Sequence, residues 1–344
     1  MRAAVLRDGK LEVRETADPV PGDGQLLVKV LSTAICASDV HYMDHPDVVR
    51  ADTSGMFVYD PDRDVVMGHE FVCEVVAEGP GCTGQFPPGT RVTSIPALIV
   101  GNGLVVIGQH PDAPGSFGER MLLSEVMVRA VPDSAPNDAI ALVDAFAVGE
   151  FYVRRAAAQP IAAGVVIGAG AIGLSTVAAL VARGIGPIVV ADYSADRRAL
   201  AQQFGAQIVV DPATASPYEQ QAALAQAANV DGSGTAIFEC VGKEGLLQQI
   251  VDDCLAGSRI FAAGGWYSAD SLSLVRATKK GVAIQFGGGP EPQDWYGTLD
   301  AIVAGRLDPL PSVGRTITLD ELPEAFDEAR RGSGPPRITV HPNN

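Results

Sequence analysis

The sequence lacks the features of a secreted or a nucleic-acid-binding protein. Its five cysteines are odd in number and widely scattered, and the opening residues MRAAVLR are too short and too charged for a secretory leader, so no disulfide framework is expected. Lys and Arg total 25 against 41 Asp and Glu, which gives a formal net charge of −16 and disfavours binding to nucleic acid or to anionic membranes. We expect a cytoplasmic protein whose thiols are free or bound to metal.

Internal repeats, low-complexity tracts and heptads are also missing from the 344 residues, 47% of which are hydrophobic. This profile indicates a globular protein of about two domains. One uncharged stretch, residues 161–182, is long enough to span a bilayer. Because four glycines fall in its first 13 residues, it predicts a strand, a tight turn and a helix instead.

The chain changes its pattern near residue 146. Before that point Gly and Pro recur at short intervals between β-rich runs at 25–30, 71–76 and 121–123, which predicts a mostly antiparallel β domain. After it, predicted strands alternate with predicted helices, as in a doubly wound α/β fold with a parallel sheet. These strands are 165–167, 188–191, 208–210, 236–239 and 260–263. We predict an α/β domain at 146–287 inserted into a β-rich domain formed by 1–145 and 288–344.

A glycine loop follows the first of these strands. Gly168, Gly170 and Gly173 have the spacing of a dinucleotide-binding fingerprint and precede a predicted helix over 174–183. In such a loop the glycines permit a tight turn, a close approach of the backbone to pyrophosphate, and close packing of helix on strand. Asp192, which lies 192 − 173 = 19 residues further on, is placed to bind a ribose diol and to repel a 2′-phosphate, which favours NAD over NADP.

A second group of residues has the chemistry of a metal site. Cys36 and His69 carry the side chains that zinc prefers, and a catalytic zinc needs three protein ligands and one open position. Asp144, where the β-rich region passes into the α/β region, is a candidate for the third ligand. Asp39 and Glu70 are placed to orient the ligands.

The order of these motifs resembles the zinc-containing medium-chain alcohol dehydrogenase family over essentially the whole chain. The motifs are ICASDVH at 35–41, GHE at 68–70, DAFAVG at 144–149, GAGAIG at 168–173, and then Asp192. The similarity is closest to the sorbitol-dehydrogenase-like polyol and secondary-alcohol branch. The resemblance implies a Rossmann sheet inserted in a GroES-like catalytic domain, and a homodimer or homotetramer.

The resemblance also implies roles for particular residues. It implies zinc ligation by Cys36, His69 and a third residue, which is either Asp144 or Glu70. It implies a proton relay from Ser38 to His41. The residues expected to contact the cofactor are Gly168, Gly170, Ile172, Gly173, Asp192, Arg197, Val241 and Arg337, with Arg197 just after the ribose acid and Arg337 near the pyrophosphate.

The sequence departs from many members of the family in one respect. The stretch 93–118, where they carry four closely spaced cysteines around a structural zinc, contains none, and no C-x-x-C occurs in the chain. We therefore predict one catalytic zinc per subunit. In place of the structural zinc site we predict an apolar lobe.

The predicted activity is the reversible, NAD-linked oxidation of a secondary alcohol or polyol to a ketone, or of an alcohol to an aldehyde. The predicted binding partner of the protein is a small-molecule substrate, an alcohol or a ketone. Two alternatives share the fold: a zinc-free quinone or enoyl reductase, and a non-catalytic nucleotide-binding relative. The ligand residues and Asp192 count against the first, and the presence of both Ser38 and His41 counts against the second.

Overall fold

A computed structural model describes residues 1–265, 267–332 and 334–344. The strands run, in chain order, β1 Arg2–Arg7, β2 Lys10–Glu15, β3 Gln25–Ala34, β4 Val65–Val66, β5 Glu70–Glu78, β6 Arg91–Ser94, β7 Ala97–Val100, β8 Gly103–Val106, β9 Arg120–Ser124, β10 Val128–Ala130, β11 Ala163–Ile167, β12 Ile188–Ala191, β13 Ile208–Val210, β14 Thr235–Glu239, β15 Arg259–Ala262, β16 Ala283–Phe286, β17 Val313–Thr318 and β18 Arg337–His341. The α-helices are α1 Ala37–Asp44, α2 Pro46–Arg50, α3 Asn137–Ala141, α4 Val143–Ala156, α5 Ala171–Ala182, α6 Ala195–Gln203, α7 Pro217–Ala227, α8 Leu246–Asp253, α9 Leu274–Lys280, α10 Pro292–Val303 and α11 Leu322–Arg330.

The chain divides into two compact units. One consists of Met1–Asp144 and Ile302–Asn344, and the other of Ala145–Ala301. The second unit extends beyond the predicted boundary at residue 287 and includes most of α10, whose Asp294 accepts hydrogen bonds from Arg154 of α4.

The second unit is built on a parallel sheet in the order β13-β12-β11-β14-β15-β16. This is a doubly wound Rossmann arrangement, and it confirms the predicted fold class. Its strands are buried on both faces: Val166 belongs to one hydrophobic core, and its neighbour Val165 belongs to the other. The crevice at the carboxyl ends of β11 and β14, where the strand order reverses, is the usual ligand position in such sheets.

The stretch 161–182 contains β11, the glycine loop and α5, as predicted. Helix α5 begins at Ala171, three residues before the predicted start, because Gly170 serves as its N-cap with extended backbone. None of the described helices has the length and the apolar character needed to cross a bilayer.

The first unit contains a mostly antiparallel sheet in the order β10-β6-β5-β3-β18-β17, with β9 also paired to β3. Strand β3 lies between β5 and β18, which places the start of β5 and the start of β18 beside the end of β3. The region without cysteines, which the family resemblance relates to a structural zinc lobe, contains the β7–β8 hairpin. Its Leu98, Ile107 and Ala113 are almost fully buried, so packing holds this lobe.

Candidate functional site

Cys36 lies at the junction between β3 and α1. It is the N-cap of α1, with extended backbone (φ −102°, ψ 148°), and its backbone N–H donates to Oδ2 of Asp39 at 3.1 Å. This bond uses one of the unpaired amides at the start of the helix and fixes the position of the Cys36 thiol.

His69 lies directly before β5 and is buried. Its Nδ1 lies 2.9 Å from Oδ1 of Asp39, which is completely buried. A carboxylate at Nδ1 favours the tautomer that carries the proton there, which leaves Nε2 as the available ligand atom. Asp39 therefore orients both Cys36 and His69, as expected for a residue that supports ligands.

Glu70, the first residue of β5, completes a group of three ligand-type side chains. Ligand atoms of Cys36, His69 and Glu70 all lie within 4.8 Å of one another. Asp144, at the start of α4, is not a member of this group among the residues that the structure describes.

Arg337 forms a buried ion pair with Glu70; the side chain of neither residue is more than 2% exposed. The pairing arises because β5 and β18 both adjoin Ala34 of β3. Arg337 is therefore neither a solvated charge nor a surface side chain. Its predicted contact with pyrophosphate stays a prediction.

The electrostatics of the cluster favour a thiolate. Burial opposes ionisation of the Cys36 thiol, but the hydrogen bond and the charge of His69 outweigh it and lower the pKa of Cys36 below its ordinary value. Burial also opposes protonation of His69, whereas Asp39 and then Cys36 raise the pKa of the imidazole well above 6.5. The thiolate is the form of cysteine that binds metal.

Ser38 lies against two of the three ligand candidates. Its hydroxyl donates to Sγ of Cys36 at 3.2 Å and lies 3.3 Å from Nε2 of His69. His41 follows three residues later on α1, so it lies on the same side of the helix as Ser38. The structure thus brings Ser38 to the cluster and places His41 one turn beyond it.

The glycine loop has the geometry that its sequence predicts. Gly168 has a φ of +93°, and a Cβ there would lie 2.6 Å from Cγ2 of Val241. A Cβ on Gly173 would collide with the carbonyl oxygen of Gly168, whereas a Cβ on Gly170 would meet nothing within 4 Å. The loop is therefore tight where the helix packs and open at Gly170, the position that approaches a phosphate. Ile172 lies with Gly173 in the first turn of α5.

Asp192 connects the loop to the end of β12. Its Oδ2 accepts the N–H of Ala169 at 2.8 Å, and its Oδ1 accepts the N–H of Ser194 at 2.8 Å. Arg197 lies in the first turn of α6, where its backbone N–H donates to the N-cap Ser194.

The sequence analysis missed Glu239. This completely buried residue ends β14, and its Oε1 accepts the N–H groups of Val241 and Gly242 at 2.8 and 2.9 Å. Burial raises the pKa of its carboxyl. Glu239 thereby fixes the turn that carries Val241, which is 49% exposed beside the glycine loop. The available signal was an acidic residue at the end of an otherwise apolar strand.

Comparison with known proteins supports these observations. Residues 171–304 match the family described as zinc-binding dehydrogenase, and residues 22–133 match the family described as alcohol dehydrogenase GroES-like domain. Sorbitol dehydrogenase of Rattus norvegicus is 28% identical over 343 residues, covering 95% of this chain and 92% of that protein. (R,R)-Butanediol dehydrogenase of Neisseria gonorrhoeae is 25% identical over 361 residues, covering all of both chains.

Solved structures share the fold. The crystal structure of 2R,3R-butanediol dehydrogenase from Bacillus subtilis superposes with a TM-score of 0.81 at 24% identity, covering 99% of each chain. A zinc-binding dehydrogenase from Sinorhizobium meliloti, solved with NADP bound, superposes with a TM-score of 0.80 at 23% identity over 99% of each chain. With both family matches, the relatives and the predicted motif order in agreement, the chain belongs to the zinc-type medium-chain alcohol dehydrogenase family, in its sorbitol-dehydrogenase-like branch.

Proposed function

We propose that the protein is a zinc-dependent dehydrogenase of polyols or other secondary alcohols. The observation that carries this proposal is the buried group of Cys36, His69 and Glu70, with the hydroxyl of Ser38 in contact with the first two. The similarity to sorbitol and butanediol dehydrogenases supports the substrate class. A zinc-free reductase would have no use for such a donor set.

The three side chains fit a zinc ion. Thiolate, imidazole and carboxylate are the ligand types of zinc sites, and three protein ligands leave one position for a substrate. We propose Glu70 rather than Asp144 as the third ligand, because an oxygen of Glu70 lies within 4.8 Å of the thiol and imidazole ligand atoms. The positive charge of Arg337 would balance the charge of the Glu70 carboxylate in their buried ion pair. Zinc at this position would supply a Lewis acid that lowers the pKa of an alcohol hydroxyl.

One catalytic zinc per subunit, with no structural zinc, is also part of the proposal. The region without cysteines is already held by the buried side chains of its hairpin, so it needs no second metal. All five cysteines are free.

Ser38 and His41 would carry out the proton transfer of the mechanism. The Ser38 hydroxyl accepts the substrate's proton as it releases its own toward His41, and the imidazole passes that proton to solvent. His41 suits this role because burial, followed by the charge of His45, lowers its pKa below 6.5, so the ring is neutral and able to accept a proton at neutral pH.

We propose NAD as the cofactor, bound on the glycine loop, where it would accept the hydride. The Asp192 carboxylate directly follows β12, and its two oxygens accept the backbone N–H groups of Ala169 and Ser194. A 2′-phosphate beside that carboxylate would be repelled. Gly168, Gly170, Ile172, Gly173, Arg197 and Val241 would complete the cofactor site, to which the family resemblance also assigns Arg337.

A homo-oligomer is the last part of the proposal. Strand β16 lies at the edge of the parallel sheet, and its Phe286 is 58% exposed. On the adjacent helix α9, Leu274 and Val275 are 72% and 65% exposed. An unpaired edge beside exposed apolar side chains suits pairing with a second copy of the chain.

The test is turnover of a panel of polyols and secondary alcohols by the zinc-loaded protein, with NAD and NADP compared. Oxidation of secondary alcohols with a preference for NAD is expected, together with loss of turnover in Cys36→Ser. Cys82→Ser is the matched control, since the Cys82 thiol donates to the carbonyl oxygen of Gln25 and, among the described residues, does not belong to the ligand group. Full turnover in Cys36→Ser, or reduction of conjugated alkenes without oxidation of any alcohol, would contradict the proposal.

A further inference from the structure

Two of the five histidines lie side by side on helix α1. His41 belongs to the last turn of the helix, and His45 is its C-cap. The N–H of His45 donates to the carbonyl oxygen of His41 at 2.8 Å, so the helical spacing of four residues continues through the cap. Their ring centroids are 5.6 Å apart, with an angle of 31° between the ring planes. Residues at this spacing share one face of a helix.

The other three histidines lie in other parts of the chain. His69 lies in the ligand cluster, Nδ1 of His110 accepts the N–H of Asp112, and Nε2 of His341 lies 2.8 Å from Asp138. The pair on α1 therefore stands apart from the proposed catalytic metal and from the other imidazoles.

The pair has the chemistry of a chelating site. Zinc binds imidazole nitrogen at about 2.0–2.1 Å, so two rings that share one ion bring their ligand nitrogens to roughly 3 Å. The ring centroids are 5.6 Å apart on adjacent turns, so the two side chains would rotate toward each other to share one ion. Both residues are partly exposed, and because Nδ1 of His41 is buried, an ion from solvent would bind His41 through Nε2. The lowered pKa of His41 keeps its ring neutral, as a ligand must be.

Nearby charge sets the strength of the site. Asp44 lies between the two histidines in sequence, but both of its carboxylate oxygens accept hydrogen bonds from Arg330, at 2.9 and 2.8 Å. Asp44 is therefore not a third ligand, and water would fill the remaining positions. Two imidazoles and water favour the later divalent metals, copper, nickel and zinc, over magnesium or calcium.

We propose that His41 and His45 together bind a second divalent metal ion of the nickel, copper or zinc type, and that this ion inhibits the enzyme. Binding follows from the histidine pair alone. Inhibition rests on the proposed function, because the ion would occupy the imidazole that relays the proton.

The binding test is calorimetric titration of the zinc-loaded protein with nickel chloride, with zinc content measured afterwards to show that the catalytic metal stays in place. One saturable nickel per chain is expected in the wild type and in the control His110→Gln. None is expected in His45→Gln or in His41→Gln, each checked for folding by thermal unfolding. Absence of nickel binding in the wild type, or equal binding in folded His45→Gln, overturns the site.

The inhibition test measures alcohol oxidation at increasing nickel concentration. Each variant is compared with its own rate in the absence of nickel. Wild type and His110→Gln should lose activity over the range in which nickel binds, and His45→Gln should not. Nickel that binds to the pair without slowing the reaction would uphold the metal site and contradict the relay role of His41, so the two claims fail separately.

Discussion

Asp39 shows how much a single side chain can determine in this protein. One carboxylate oxygen contacts Nδ1 of His69, and the other accepts the backbone N–H of Cys36. Two of the three proposed ligands are thus held by one buried acid from the first turn of α1. The sequence placed Asp39 beside the ligands, but its contact with both of them follows from the way α1 packs against the start of β5.

We predict that Asp39→Asn lowers the affinity for zinc by about 10- to 100-fold, the usual effect of losing a residue that orients a metal-bound histidine. The asparagine side chain is uncharged and has one acceptor oxygen. It therefore cannot accept hydrogen bonds from both Nδ1 of His69 and the backbone N–H of Cys36. Competition with a chelator measures the affinity. Asp47→Asn, at a side chain that is 94% exposed, is the matched control and should change nothing. An unchanged zinc affinity in Asp39→Asn would remove this residue from the account.

His41 sets a second prediction at this scale. As proton acceptor it must be neutral, and its pKa is lowered by burial and then by His45. The acidic limb of kcat/KM for alcohol oxidation should therefore lie below pH 6.5. His41→Ala should remove that limb and slow the reaction by on the order of 10²-fold.

Substitution of His45 tests the direction in which it shifts the pKa of His41. A positive charge on His45 disfavours protonation of His41, so its removal in His45→Gln should move the acidic limb upward in pH. The measurement is the pH profile in a metal-free buffer after loading of the catalytic zinc. A limb that stays in place in both variants would show that another group titrates.

The glycine loop contains one residue that is needed for packing and another that has open space for a ligand. The spacing of the glycines in the sequence does not distinguish these two functions. Gly173 is needed for packing, because a Cβ would collide with the carbonyl oxygen of Gly168. Gly170 has open space around it. Substitution of the two residues should therefore have different consequences.

We predict that Gly173→Ala weakens cofactor binding. It should also lower the free energy of unfolding by about 1–3 kcal/mol, the usual effect of overpacking. Gly170→Ala should unfold at the wild-type temperature but bind the cofactor at least about tenfold more weakly, since its methyl group occupies the space that the pyrophosphate needs. Fluorescence titration with NADH and thermal unfolding separate the two effects. Gly297→Ala, in α10 with nothing near its Cβ, is the control for adding a methyl group. Equal loss of stability in both loop variants would refute the distinction.

Asp192, which follows β12, is hydrogen-bonded to the glycine loop, and we predict two roles for it. Besides its proposed ribose contact, it accepts N–H groups from Ala169 and Ser194. Asp192→Gly should therefore relax the preference for NAD over NADP and also loosen the loop. Asp192→Asn retains an acceptor oxygen and should relax the preference with a smaller loss of stability. The ratio of kcat/KM for the two cofactors is the measurement, and an unaltered ratio would argue against a ribose contact.

Local sequence patterns predicted most of these elements. The strand, glycine loop and helix of residues 163–182 follow from apolar runs and glycine spacing, and they were predicted to within three residues. The pairing of Glu70 with Arg337 was not, because 337 − 70 = 267 residues separate them and they meet only through the position of β3 between β5 and β18. The choice between Glu70 and Asp144 depended on the same long-range pairing. Glu239 was missed because its function is to bind backbone N–H groups, which leave no trace in residue spacing.

At the scale of the whole molecule, the exposed edge of the parallel sheet predicts self-association. Phe286→Asp places a charge on β16 where a second strand would pair, and it should convert the oligomer to a smaller species. Sedimentation velocity of the two proteins measures this. Val20→Asp, at a side chain that is 83% exposed in the first unit, is the control. A wild-type monomer, or an unchanged oligomer in Phe286→Asp, would contradict this use of the edge.

The proposed function requires one zinc held by Cys36, His69 and Glu70. To exclude an ion at the proposed histidine pair, zinc per chain is measured by mass spectrometry on dialysed His45→Gln protein, with and without Cys36→Ser. We predict one zinc in His45→Gln and none when Cys36→Ser is added. Two zinc ions in His45→Gln, or the same zinc content in both proteins, would refute a single zinc at this site.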